Sequence, residues 1–298
     1  MSDVSALDTF TRTAERAANE VLDSYSTSFG LATRLLGARH RQHIRNVYAL
    51  VRVADEIVDG VAAQAGLSLA QQRLALDGFR REAEGALASG YSADVVVHAF
   101  AVTARASGIG TDLTDPFFAA MAMDVADAQV PGAPAFGFTA ERHDVYVFGS
   151  AEAVGLMCLR VFMKDEVRDA GDLAVLEMGA RQLGAAFQDI NFLRDLHDDA
   201  ELGRSYLSAT SALDDATKAQ WVARVRAQLD HARAAIPVLP RDARAAIRCA
   251  HAVFSRLVDR IEETPVEALY AQRVRVPDAV KAWCAIRAVV ATAMERRR

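Results

Sequence analysis

Apolar and polar positions alternate along this chain at helical spacing, interrupted at intervals by Gly, Pro and Ser. Apolar residues recur every three or four positions over about 4–25, 68–88, 92–107, 112–129, 139–163, 170–199, 214–235, 241–263 and 277–297, and each span predicts an α-helix. A further helix runs through Arg45–Gly60, while Tyr25–Gly30 breaks the pattern. The segment 131–138, PGAPAFGF, and the segment AELGRSYLS after the 170–199 helix read as loops. Asp115-Pro116 suits a helix start, and Pro237, Pro240, Pro265 and Pro277 fall at boundaries, so all seven prolines sit outside the predicted helix interiors. Alanine is abundant and β-branched runs are few, which favours helix. With no repeat, low-complexity tract or linker, the pattern predicts one all-α domain over residues 1–298.

Two of these helices carry a polar line through an apolar body. In RNVYALVRVADEIVDG, Tyr48, Arg52, Asp55 and Asp59 stand at offsets 0, 4, 7 and 11, along one helical face. In LGAAFQDINFLRDLHDD, Gln188, Asn191, Asp195 and Asp199 stand at offsets 0, 3, 7 and 11. Each stripe is about 16 Å long at about 1.5 Å per residue. A single i,i+4 Asp pair usually marks a solvated face or half of an ion-pair network. Two such pairs, each flanked by apolar residues and by amide or guanidinium groups, point instead to a wet, charged cavity. Buried charge needs a partner. Hard divalent cations take oxygen ligands, and Mg²⁺ combines one or two carboxylates with waters and substrate phosphates. The two Asp pairs are therefore expected to hold Mg²⁺, or Mn²⁺ in its place, against a diphosphate.

Composition narrows the classes. The net charge of −5 over 298 residues gives no overall basic footprint for nucleic acid. Cys158, Cys249 and Cys284 are far apart, with neither metal-type spacing nor a disulfide framework, which fits a reducing cytoplasm. The opening MSDVSALDTF lacks signal-peptide character, and no stretch of eighteen uncharged apolar residues predicts a membrane span. The terminal ERRR reads as a solvated helix end, or as a contact with an anionic membrane surface.

Other residues carry two readings each. Ser26 and Ser28 could offer hydroxyls to phosphate or cap a helix locally. Arg39, Arg41 and Arg45 precede the first Asp helix, some reaching phosphates and some exposed. Phe117, Phe118, Met121 and Met123 suit plain core or a hydrocarbon pocket. Asp124 and Asp127 could assist a metal but read as surface or supporting residues. Gly149 and Gly155 in one helix imply close packing or room for a ligand. Arg204 is a candidate diphosphate clamp, because a guanidinium matches phosphate geometry. Arg273, Arg275 and Lys281 form a basic cluster that is either a second phosphate contact or a solvated patch.

Together these motifs resemble the squalene/phytoene synthase family of head-to-head prenyl transferases, over Ser26 to about Lys281. YSTSF looks like its Ser-rich diphosphate element, YALVRVADEIVD like its first Asp-rich motif, and FQDINFLRDLHDDAELGRSYL like its second; YVFGSAEAVG is similar to the helix between them. The resemblance implies a terpenoid-synthase helical bundle around a central cavity, with metal on Asp55, Asp59, Asp195 and Asp199. It implies that Ser26, Ser28, Tyr48, Arg52, Gln188, Asn191, Arg204 and Arg273 contact diphosphate, and that Tyr146 and Tyr206 sit near the reacting carbons. Phe254 stands where the family often has Tyr, and Asp189 and Phe192 where it has apolar or small residues, so altered packing behind the motif is expected. The implied reaction joins two geranylgeranyl diphosphates into phytoene through a cyclopropyl intermediate. The alternatives are a C30 synthase making squalene, dehydrosqualene or hydroxysqualene from farnesyl diphosphate, and a non-catalytic prenyl-diphosphate-binding or assembly protein. NADPH is not expected, since no Gly-rich dinucleotide fingerprint appears. The lipophilic product implies a cytoplasmic protein with peripheral membrane association.

Overall fold

Side-chain caps set the starts of half of the helices. The computed structural model describes residues 5–58, 60–127, 138–197, 206–207 and 213–295, and among these there are helices and turns but no strand. Helix α1 (Ala6–Tyr25) starts in a capping box between Ser5 and Asp8. Ser26 ends it in an extended conformation and at once caps α2 (Thr27–Arg34), accepting from the Phe29 N–H at 3.1 Å. The break expected over Tyr25–Gly30 is thus a one-residue kink, because the Ser26 hydroxyl restarts the helix. Next come α3 (Ala38–Val58), α4 (Val61–Gln64) and α5 (Leu69–Ser89), the last capped by Ser68 and Gln71. Helix α6 (Val95–Ser107) runs from the Asp94 cap to a left-handed Gly108 at φ 68°.

Helix α7 (Thr111–Asp127) starts earlier than Asp115-Pro116, so Pro116 lies inside it, against the expectation for the prolines. Its nitrogen cannot donate to the Asp112 carbonyl, a local loss that the surrounding buried Leu113, Phe117 and Phe118 offset. The predicted 139–163 helix is a continuous run made of α8 (Ala140–Val147), a π turn (Phe148–Glu152) and α9 (Ala153–Met163). It is long and apolar enough to span a membrane by length and composition, but Val147, Ala153, Met157, Val161 and Phe162 are buried against neighbouring helices. Helix α10 (Ala170–Arg194) stops short of the predicted 199, with Asp195 at its C-cap at φ −100°, ψ 15°. Helices α11 (Asp215–Ala235), α12 (Arg241–Glu263), α13 (Val266–Ala271) and α14 (Asp278–Met294) complete the fold. Asp59, Asp199, Arg204, most of the 131–138 loop and the final arginines, for which roles are expected above, lie outside the described residues, as does the Asp127 side chain.

Small residues bring the helices close. Helices α1, α3 and α6 meet through Ala14, Ala18, Ala49 and Ala99, all fully buried. Helix α3 also packs on α5, α7 and α9, while α10 packs on α9, the π turn, α11 and α12. A Cβ on Gly155 would lie 2.5 Å from the Ala180 carbonyl oxygen of α10, and one on Gly184 would lie 2.5 Å from the Ala151 carbonyl oxygen. Gly149 is held as tightly against the Pro116 carbonyl of α7. These glycines therefore serve close helix packing, and the ligand-room reading is not needed. Gly155→Ala is expected to destabilise the protein by about 1–3 kcal/mol through overpacking against rigid backbone, read as a lowered urea midpoint at unchanged m-value.

A polar staple joins the start of α3 to the start of α12. Arg39 donates to both Asp242 carboxylate oxygens, at 2.8 and 3.0 Å, and to Glu166 at 2.6 Å. The fully buried His40 approaches Asp242 at 3.2 Å, and Gly37 donates to the Asp242 carbonyl at 2.8 Å. Arg41 donates to the carbonyls of Arg34 and Leu36. Arg39 and Arg41 are therefore structural here and not phosphate ligands. The Arg39 hydrogen bonds, helped by His40 and opposed by partial burial, lower the Asp242 pKa to about 2. Its stabilising effect is fully present above the unfolded carboxylate pKa near 3.8 and is lost as pH falls through about 2. Asp242→Asn should lower Tm by about 2–4 °C at neutral pH, a modest figure because the pair is partly solvated. Melts taken from pH 7 down to pH 2 should show that gap closing below pH 4; a gap independent of pH would refute the assignment.

Candidate active site

In the polar stripe of α3, Tyr48, Arg52 and Asp55 are half-buried, while the positions around them (Ile44, Val47, Ala49, Leu50, Ala54 and Val58) are in the core. Tyr48 stacks on Phe29 at 5.2 Å and shares a hydrogen bond with Ser26. Burial raises the Tyr48 pKa, and the Arg52 charge and that hydrogen bond partly offset the rise. Arg52 pairs with Glu56 one turn on and lies 4.4 Å from the centre of the Tyr25 ring. The kink between α1 and α2 thus delivers Tyr25 and Ser26 to the α3 stripe. Ser28 is half-buried on the first turn of α2. Ser26 performs the capping role, and its hydroxyl also reaches Tyr48, so the two readings of this residue meet in one atom.

The α10 stripe has the same character: Gln188, Asn191 and Asp195 are half-buried between core residues Ala185, Ala186, Ile190 and Leu193. Asp195 is enclosed by two guanidinium groups. Arg273 approaches Oδ1 at 2.7 Å through Nε and Oδ2 at 3.3 Å through its terminal nitrogen, and the neighbouring Arg194 binds the same carboxylate. The bond from the Asp195 N–H to the Asn191 carbonyl, 2.8 Å, is the last of the helical ladder there. One turn back, the buried Oδ1 of Asn191 has no hydrogen-bond partner.

Two cations near the start of α14 reach toward these elements. Arg273 holds Asp195 on one side, and Lys281 donates to the Thr27 hydroxyl at 3.2 Å on the other, beside Ser26. Arg273 and Arg275 are both exposed, but of this basic cluster it is Arg273 that pairs with Asp195 and Lys281 that reaches Thr27. The arrangement is a run of hydroxyl, amide, guanidinium and carboxylate groups from α3 through the α1–α2 kink to the end of α10.

Deeper in lies Asp124, expected as a surface or a supporting residue; it is buried, which removes the surface reading. Asp124 of α7 is 2% exposed and accepts from the Tyr146 hydroxyl at 2.8 Å and the Tyr206 hydroxyl at 2.9 Å. Phe138 meets both tyrosine rings edge-on at 5.2–5.3 Å, and Phe192 stacks on Tyr206 at 4.5 Å. Tyr146 and Tyr206, predicted near the reacting carbons, are thus together in one aromatic cluster, with Asp124 as their shared acceptor. The available signal was the phase of α7: Asp124 stands three and seven residues after Met121 and Phe117, on the apolar side of the helix.

Behind α10, Asp189 is fully buried. It accepts from Gln228 at 2.8 Å, with Arg224 at 3.2 Å and His143 at 2.9 Å. The His143 ring lies against Phe192 and Trp221. The altered packing expected from Asp189 and Phe192 is this polar network behind the aromatic cluster. Phe254 stacks on Phe187 at 3.8 Å. A cleft of about 590 Å³, lined by Met123, Phe148, Ala185, Arg224 and Gln228 among others, contains none of the predicted site residues.

Among the described residues no three metal-type side chains cluster, and two of the four expected carboxylates, Asp59 and Asp199, lie outside them. The groups that are described still suit a hard cation. Asp55 and Asp195 offer oxygen ligands, and the orphaned Asn191 oxygen is a further acceptor beside Asp195.

Residues 22–279 match the family model for squalene/phytoene synthase, so this chain belongs to the squalene/phytoene synthase family. It is 31% identical to a 15-cis-phytoene synthase from Pantoea ananas over 62% of this chain and 56% of the relative. It is 29% identical to the chloroplastic phytoene synthase 3 of Zea mays over 76% of this chain and 53% of that relative. The chain thus spans little more than half the length of these two relatives. The crystal structure of a dehydrosqualene synthase superposes with a TM-score of 0.73 at 19% identity, over 96% of this chain and 99% of that one.

Removing the Asp124 carboxylate would strand two buried hydroxyl donors. Asp124→Ala is expected to destabilise the fold by about 2–4 kcal/mol. Because Tyr206→Phe removes one of the donors, the double substitution should fall short of additivity by about 1 kcal/mol or more. Urea unfolding of the four proteins checks this, and strict additivity would show that the carboxylate and the phenol do not act on each other.

Proposed function

We propose that this protein is a metal-dependent prenyltransferase that joins two geranylgeranyl diphosphates head to head into phytoene. The observation that carries the reading is the half-buried acidic stripe of α10, ending on Asp195 between Arg273 and Arg194, in a chain belonging to this family that has a second such stripe on α3. The choice of the C20 substrate rests on the similarity to phytoene synthases.

In this reading Ser26, Ser28, Tyr48, Arg52, Gln188, Asn191, Arg204 and Arg273 bind and orient the diphosphates. Arginine suits that role, since its fork matches phosphate oxygens and its charge persists through the reaction. Asp55, Asp59, Asp195 and Asp199 hold Mg²⁺ or Mn²⁺, which when bound supplies Lewis-acid stabilisation of the departing diphosphate. Arg273 and Arg194 neutralise Asp195 until that cation and substrate arrive. Leaving of the first diphosphate gives an allylic cation. The second substrate's double bond attacks it, and loss of a proton yields a cyclopropyl diphosphate. Leaving of the second diphosphate, rearrangement and a second proton loss give the C40 hydrocarbon. No hydride is consumed, so NADPH is not required. Tyr146 and Tyr206 donate their protons to Asp124, which turns their oxygen lone pairs away from that carboxylate. Their rings and those of Phe138 and Phe192 line an apolar region that keeps water from a carbocation.

The fold likeness to a dehydrosqualene synthase favours one second reading, a C30 product from farnesyl diphosphate. Localisation in the cytoplasm, against a membrane that takes up the product, belongs to the same proposal.

The test is a product assay with Mg²⁺ and either geranylgeranyl or farnesyl diphosphate, with extracts read by mass spectrometry. A C40 hydrocarbon without NADPH is the expected outcome. A C30 hydrocarbon would move the assignment to the second reading, and no product from either substrate would sink both. Asp55→Ala should lower the rate by about 10²-fold or more with the helical circular dichroism unchanged; full activity would remove Asp55 from the metal site.

A further inference from the structure

The last helix presents its apolar side outward. Helix α14 packs Cys284, Ala285, Ala288 and Thr292 against α12, and these residues are buried. On the opposite side Trp283, Ile286, Val290 and Met294 are 58%, 57%, 50% and 77% exposed, and Val289 is 44% exposed. Their spacing of three, four and four residues keeps them on one line about 16 Å long. Arg287 is the one charged residue among the exposed positions from Ala282 to Met294. A helix facing water carries polar residues on its outer side; this one carries tryptophan and aliphatics, the pattern of an interaction surface.

Charge and position identify the partner. The chain as a whole is acidic at −5, but from Arg273 to Arg298 it has seven basic residues against two acidic ones. Glu295 is already bound by Arg244 and Arg248, Arg273 by Asp195 and Lys281 by Asp278, and Arg275 and Arg287 stand exposed beside them. An apolar stripe with tryptophan, flanked by cations, suits the interface of an anionic bilayer, where the apolar face enters the acyl boundary and the arginines meet headgroups. A second copy would bring two such basic surfaces together across a two-fold axis, which repels. The stripe also begins beside the site, since Lys281 touches Thr27 and Arg273 holds Asp195.

We propose that the Trp283–Met294 face of α14 docks this protein on an anionic lipid bilayer, with the mouth of the prenyl-diphosphate site held next to the membrane. The need for a membrane at that mouth rests on the prenyltransferase reading; the docking itself does not, and its test uses no substrate.

The full-length protein is floated with phosphatidylcholine vesicles, with or without phosphatidylglycerol, and Trp fluorescence is followed in parallel. Wild type should float with the anionic vesicles, less so at high salt, and its emission should shift to the blue; Trp283→Phe should lose most of that shift. Ile286→Glu/Val290→Glu, both on the exposed face, should reduce vesicle partitioning by about tenfold or more. That variant should keep the wild-type circular dichroism and its product formation in detergent. Wild type that stays off anionic vesicles, or a double variant that floats as well as wild type, would overturn the proposal. So would a wild-type dimer that the double variant converts to monomer without any vesicle binding. Loss of product formation in all proteins, with flotation intact, would count against the enzymatic reading alone.

Discussion

Carboxylates carried inside an apolar helical body must be met by donors or cations, and much of this structure follows from that constraint. Burying a charge without compensation costs more than a helix–helix contact returns. Each buried or half-buried acid near the centre is answered accordingly. Asp195 has Arg194 and Arg273, Asp124 has two tyrosyl hydroxyls, and Asp189 has Gln228, Arg224 and His143. The partners come from elements distant in the chain, so satisfying the acids also fixes how α7, α8, α10 and α11 sit around them.

Close packing supplies the complementary constraint. The α8–α9 run is pinned between α7 and α10 by glycines that admit neighbouring carbonyl oxygens, and a π turn sits where that pinning occurs. A π turn shifts the phase of a helix relative to an uninterrupted one. Tyr146, two residues before it, turns toward Asp124, while Phe148 lines the separate cleft. Rigid backbone contact on both sides leaves little freedom for the aromatic cluster to drift.

The two ends of the described chain serve the site from outside the central helices. The α1–α2 kink supplies Ser26 and Tyr25, the stretch before α14 supplies Arg273, and the first turn of α14 supplies Lys281. These contributions converge on the side of the molecule where α14 begins. The apolar outer line of that helix therefore starts next to Lys281 and the Thr27 contact.

Much was legible from the sequence alone because it depends on local spacing. Helical periodicity located the main helices, and the offsets of Tyr48, Arg52 and Asp55, and of Gln188, Asn191 and Asp195, placed each set on one face that proved half-buried within an apolar helix. Residues whose role depends on a distant partner were not legible in this way. Arg39 and Asp242 are 203 residues apart, Arg273 and Asp195 are 78 apart, and Tyr206 and Asp124 are 82 apart. Periodicity shows which way a side chain faces along its own helix, not what stands opposite. The same limit explains Pro116, which is tolerated inside α7 by tertiary packing, and Asp124, whose burial awaited two hydroxyls from elsewhere. The sequence by itself thus determined the helices and the two acidic stripes, through interactions within a turn or two. The tertiary structure decided which charges are paired, which glycines are pressed against backbone and which apolar face is left outside, because those depend on contacts that only folding brings together.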